Sequence, residues 1–175
     1  MSGPASSSAA LPLAYLLLRI LIVVNWLGGA AILALLVLMP NREWIMSALE
    51  LSPSPGADRV VRGLRAIAVI GLITIPLNYA ILKRLLAIVG TVRTGDPFVP
   101  VNALHLQEIA WVLLTLQLLG LVIGAIVKSI STPEHPVNIN AGFSINGWLA
   151  VLLTFLLARV FAYGTLMRED LEGMV

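Results

Sequence analysis

The side chains able to do chemistry are few. The chain has 9 Asp and Glu, 11 Lys and Arg, 2 His and no Cys. Without a thiol there is no disulfide, no thiolate metal site and no sulfur nucleophile. No H-E-x-x-H, G-x-S-x-G or phosphate-binding glycine loop occurs, so the spacings that build zinc, serine-hydrolase or nucleotide sites are missing. What stands out is a set of polar groups in apolar surroundings: Asn25, Asn78, Gln117 and Arg159, with Glu108 at the margin of an apolar run. In a low-dielectric medium such groups are costly unless they hydrogen-bond or face a cavity. Their chemistry is binding or helix registration rather than catalysis. The expectation is a protein that is not an enzyme, with no catalytic residue, metal or cofactor.

The elements that must carry these residues follow from composition. Of 175 residues, 59% are hydrophobic and 11% charged, where a soluble domain carries about 25% charge. The mean hydropathy is +0.97. Loops this sparing in polar residues cannot cover a water-soluble helical core. A net charge of only +2 argues against a nucleic-acid surface, so no direct nucleic-acid partner is expected. Apolar runs at 13–39, 64–84, 109–130 and 148–167 each reach the roughly 20 residues that cross a bilayer core of about 30 Å as a helix. They lack a polar face and are too long for barrel strands. The expected fold is an all-α membrane protein. It is a single membrane domain over 1–175, a four-transmembrane-helix bundle with a short extramembrane β-hairpin and the lipid bilayer as its first partner. Residues 1–15 carry no positive charge, so the first run is expected to be retained rather than cleaved.

Four spans place both termini on one side. Arg19, Lys83, Arg84, Arg93 and Arg168 then oppose Arg42, Arg59, Arg62, Arg65 and Lys128, an even split on which charge bias does not choose. Cytoplasmic termini are expected because the Lys83-Arg84 pair abuts an apolar run directly. His105 and His135 fall on opposite sides and cannot share a metal or haem. With Arg168 at the surface, Arg159 lies about 13 Å deep. Asn25 and Asn78 lie about 9 Å in from Arg19 and Arg84, and Gln117 about 13 Å in from Glu108. One polar group per helix thus falls in the same half of the bilayer. Two readings stay open: mutual hydrogen bonding that fixes register, or the lining of a cavity for an anion, a lipid headgroup or a proton path. Glu108 is the countercharge nearest to Arg159, and Arg84 competes for it. Pro76 is expected to kink the second helix near Asn78. Gly120 and Gly124 form a G-x-x-x-G pattern that admits a close neighbour, within the bundle or in a homo-oligomer.

Between the spans, Trp44, Ala48 and Leu51 share a face that suits an interfacial helix over 41–51. Asp58 is placed to cap the second helix. Arg59, Arg62 and Arg65 form a stripe suited to lipid headgroups or an anionic partner. The second helix should run past Lys83 to about Arg93, turn at Thr94-Gly95-Asp96-Pro97 and return with Asn102 as cap. That hairpin would project roughly 15 Å. Arg93, Asp96, Phe98 and Asn102 on it are candidates for docking a soluble partner; the alternative is that the hairpin packs on itself. Val137, Ile139, Phe143 and Ile145 share one face if Asn140-Ala141-Gly142 makes a three-residue turn with Gly142 left-handed. Residues 137–146 are therefore expected as the β-hairpin.

A family likeness rests on Thr94-Gly95-Asp96-Pro97-Phe98, Asn102 and Ile109-Ala110-Trp111. It continues in Gly147-Trp148-Leu149-Ala150-Val151-Leu152-Leu153, Leu157-Ala158-Arg159-Val160-Phe161, Gly164 and Leu171-Glu172-Gly173-Met174-Val175. These segments resemble the bacterial domain-of-unknown-function family 2975. The resemblance spans the second to fourth helices and is most specific at G-D-P-F-x-x-x-N and the C-terminal tail. It implies four helices in a bacterial plasma (inner) membrane. Members are often encoded beside a small helix-turn-helix regulator, which implies such a regulator as a soluble partner. The family pattern has Arg or Lys after Val-Phe, whereas Ala162 stands there in this chain, with Arg159 one turn earlier. The function expected is regulatory or sensory, through a soluble partner at the hairpin. The alternative is a small-solute or lipid-binding transport component that uses the intramembrane polar layer.

Overall fold

The computed structural model describes residues 7–38, 47, 55–131 and 141–172. Among the described residues there are four long helices and no strand: α1 (Ser7–Leu38), α2 (Pro55–Arg93), α3 (Pro100–Ile130) and α4 (Ile145–Glu172). All four are long and apolar enough to cross a membrane, with candidate spans Leu11–Val37, Gly56–Arg93, Pro100–Ile130 and Ile145–Arg168. In hydrocarbon a helix satisfies every interior backbone group within itself, which is why runs of Leu, Ile, Val and Ala take this form. The chain is a multi-pass membrane protein. The interfacial helix expected over 41–51 lies outside the described residues, apart from Ser47.

The helices run antiparallel in chain order. Cα atoms of α1 and α2, of α2 and α3, and of α3 and α4 come within 8 Å, and those of no other helix pair do among the described residues. A closed square would bring α1 against α4. The bundle is therefore an open row. Burial follows from this arrangement. Ala57, Val60 and Val61 of α2 and Leu106, Ile109, Ala110, Val127 and Ile130 of α3 are buried, with Val151 and Ala158 of α4. Among residues 11–37 of α1 only Gly29 is buried, while Leu27 and Val37 are each 64% exposed. Apolar surface on that scale suits lipid rather than water.

The α1–α2 seam is close because Gly29 has no side chain. A Cβ there would stand 3.0 Å from Ile75 Cγ2. Trp26 and Tyr79 pack beside it with ring centroids 5.6 Å apart. Pro76 sits inside α2, which continues through it as one helix to Arg93. Asp58 is not the N-cap of α2: the helix is already formed at Pro55, and Asp58 stands in its first turn, where a negative charge complements the helix dipole.

The β-hairpin does not form. Phe143 and Ser144 are unpaired, and Ile145 and Asn146 already belong to α4; residues 137–140 lie outside the described residues. Helix-start chemistry outcompetes the alternating pattern here. The Ser144 hydroxyl accepts a hydrogen bond from the Gly147 N–H at 3.2 Å, and the Ser144 carbonyl accepts one from Trp148 N–H at 3.0 Å. Phe143 stacks on Trp148 at 6.4 Å, so the residue before the cap clasps the first turn. Gly142 does adopt the left-handed region, with φ 124°. It lies against the G-x-x-x-G of α3, where a Cβ on Gly124 would stand 2.6 Å from Gly142 Cα. The small-residue strip thus seats the segment that leads into α4.

Candidate functional site

The α2–α3 hairpin forms as a helix-turn-helix unit closed at 94–99. Thr94, Gly95 and Asp96 N–H groups donate back to the carbonyls of Gly90, Val92 and Thr91, and Gly95 has φ 85°. Asn102 is not a cap. Val99 holds the N-cap position with Pro100 after it, and Asn102 lies inside the helix, fully buried. Its Nδ2 donates to Thr91 Oγ1 at 2.6 Å and to the Pro97 carbonyl at 2.8 Å. Thr91 spends its own proton on the Ile88 carbonyl at 2.8 Å, so only acceptors face Asn102. The amide must therefore point its NH₂ group at them, and Oδ1 is left buried without a partner.

The other docking candidates are also engaged within the chain. Arg93 lies over the Tyr15 ring of α1, 5.2 Å from its centroid. Asp96 pairs with Arg168 of α4. Phe98 packs on Phe161 at 5.4 Å and covers Gly164, where a Cβ would stand 2.9 Å from Phe98 Cδ1. The large apolar side chains that the hairpin still presents outward are Phe98 and Val101, each 44% exposed, and Leu104 at 59%.

The five residues of the expected polar layer are not brought together. Asn25 donates from Nδ2 to the Ile75 carbonyl at 3.0 Å, which ties α1 to α2. Asn78 is half-buried at that same level. Gln117 is half-buried and lies over Gly147, where a Cβ would collide with its carboxamide. Glu108 pairs with Arg84 rather than with Arg159. Arg84 also donates to the Ala80 carbonyl at 3.2 Å.

Arg159 lies elsewhere because α4 is shifted along the row. Trp111 meets Phe155 edge-on at 5.3 Å, and one turn further Gln107 and Arg159 line the same cleft. Arg159 is therefore level with Glu108 and Arg84, about 15 Å from the level of Gln117, ten residues away on α3. Arg19 joins that level: it is about 10 Å beyond Trp26, as Arg84 is about 8 Å beyond Tyr79. Arg19, Lys83, Arg84, Glu108 and Arg159 thus form one charged plane. Gly63 packs on Ile130, which sets Arg65 level with Lys128 in a second plane. On α3 the two planes are 20 residues apart, about 30 Å.

The cleft between α3 and α4 measures about 640 Å³. Ala103, Ala158 and Ala162 make its floor, Trp111 and Phe155 one end, and Leu104 and Leu166 the other. Arg159 and Gln107 sit midway along it. Arg159 is exposed and makes no hydrogen bond or ion pair among the described residues. Gln107 did not stand out in the sequence, and Trp111 did so only within the Ile109-Ala110-Trp111 likeness, not as a cleft residue. Their signal is the small-residue spacing Ala103 on one helix and Ala158 with Ala162 on the other. On the opposite side of α3, His105 lines a recess of about 190 Å³ with Lys83, Arg84 and Glu108; its Nδ1 is buried without a partner. His135 lies outside the described residues. Among the described residues, no group of three or more His, Asp or Glu is placed to hold a metal ion.

Compared with protein-family models, curated proteins and solved structures, the chain matches none.

Proposed function

We propose that this multi-pass membrane protein is non-enzymatic and binds a small anionic or amphiphilic ligand in the α3–α4 cleft, as the binding component of a transport or sensory system. The observation that carries the reading is Arg159: a cation on an apolar helix, without a protein partner among the described residues, opening into a cleft of about 640 Å³. A guanidinium in such surroundings is stabilised by an anion that it can fork onto. The test is thermal unfolding in detergent against anionic solutes and lipids. A ligand at 100 times its Kd stabilises by about 2.7 kcal/mol. That rise should vanish in Arg159→Leu, with its unliganded Tm within about 4 °C of wild type. Equal ligand-dependent rises in both proteins would remove the cleft from consideration.

A second reading keeps the regulatory role. Phe98, Val101 and Leu104 give the hairpin an outward apolar face, of the kind that seats a partner helix. The soluble partner implied by the likeness to domain-of-unknown-function family 2975 would dock there, in a bacterial inner membrane with cytoplasmic termini. Co-purification with the purified regulator should be lost on Leu104→Asp and kept on Leu118→Asn; equal capture by both places the contact elsewhere.

A further inference from the structure

We infer that the α3–α4 cleft holds an anionic phospholipid, its phosphate on Arg159 and an acyl chain laid over Trp111 and Phe155. This rests on the reading of the cleft as a ligand site and names its ligand. The first support is height. The Arg84–Glu108 plane and the Arg65–Lys128 plane are about 30 Å apart, which is the thickness of the hydrocarbon core. Between them α1, α2 and α3 carry no charged residue, over 20–38, 66–82 and 109–127. The bilayer core fits between these planes, and Arg159 then stands at the level of lipid phosphates.

The second support is charge complementarity. In that plane Arg19 donates to the Tyr15 hydroxyl at 2.8 Å and Arg84 pairs with Glu108. Lys83 and Arg159 have no such partner among the described residues, and of the two only Arg159 lines the α3–α4 cleft. The neighbouring carboxylate, Glu108, is already engaged by Arg84, so a zwitterionic headgroup would find no open acid for its ammonium. The third support is the shape of the cleft. From Arg159 it runs into the core side over the edge-on pair of Trp111 and Phe155, whose ring planes meet at 88°. A water-soluble anion would leave that apolar strip uncovered, whereas a lipid chain covers it. The alanine floor supplies the width.

The full-length protein is purified in detergent, offered phosphatidylglycerol and phosphatidylcholine, and examined by native mass spectrometry. Wild type should retain phosphatidylglycerol in preference to phosphatidylcholine. Arg159→Gln should lower that retention about tenfold, the factor set by one lost charge-assisted hydrogen bond. Ala162→Trp, which fills the cleft and keeps the charge, should lower it comparably. If Ala162→Trp retains phosphatidylglycerol as wild type does, the contact is general surface charge and the inference fails. Should inorganic phosphate raise the Tm of wild type but not of Arg159→Gln, with phosphatidylglycerol retention equal in all three proteins, the ligand is a soluble anion. The lipid then falls and the cleft reading stands. If neither lipid nor phosphate responds to either variant, both fall.

Discussion

Asn102 shows how one amide holds the hairpin. It is fully buried and bridges the end of α2, through Thr91, to the turn, through Pro97. Replacing it with alanine removes both bonds and leaves the Pro97 carbonyl without its donor. We expect Asn102→Ala to lower stability by about 2 kcal/mol, read as a fall in Tm in detergent. No loss would mean that the two bonds are replaced by water. Asn102→Asp should be worse, because its carboxylate would face two acceptors. The importance of Asn102 was legible from its place after Gly-Asp-Pro-Phe, but its role was not. A cap and a buried bridge use the same residue type, and only the approach of Thr91, eleven residues away, distinguishes them. Arg159 was likewise visible as an isolated charge. Its height was not, because Arg168 resembles a residue at the membrane edge, whereas its partner Asp96 sits at the hairpin turn.

At the scale of elements, the four helices were legible because charge-free runs of this length have one stable backbone form in lipid. The entry to α4 was not. Alternation from Val137 to Ile145 matched a hairpin, yet the capping serine and the Phe143–Trp148 clasp belong to a helix start. The G-x-x-x-G pattern was readable, while its occupant, the Ala141–Gly142 backbone rather than a helix, depends on a contact eighteen residues distant. The two glycines make a controlled comparison. A Cβ on Gly124 would meet Gly142 Cα at 2.6 Å, whereas on Gly120 the nearest atom stands at 3.8 Å. Gly124→Ala should therefore cost about 1–3 kcal/mol and Gly120→Ala little. Equal Tm values for the two variants would place the α4 entry away from α3.

For the whole molecule, the open row and the two charged planes make a definite statement about what touches water. The chain has no native cysteine, so single-cysteine variants report without background. Ala87→Cys and Thr94→Cys lie beyond Arg84 and should react with a membrane-impermeant maleimide added from the hairpin side. Val69→Cys and Ile73→Cys, on outward positions exposed by 51% and 49%, lie between the planes and should not. If Ile73→Cys reacts as fast as Ala87→Cys, the core does not lie between those planes. The shift of α4 has a mechanical consequence as well. The Ala141–Gly142 backbone that leads into α4 sits against Gly124, 16 residues of α3 or about 24 Å from the Arg159 level, where its neighbours offer about 30 Å between charges. A bilayer fitted to the described part of that flank draws its leaflets together or gathers short-tailed lipids, since mismatch costs fractions of a kcal/mol per ångström. The molecule would then be a wedge of uneven depth, pinching the sheet it sits in on one side only.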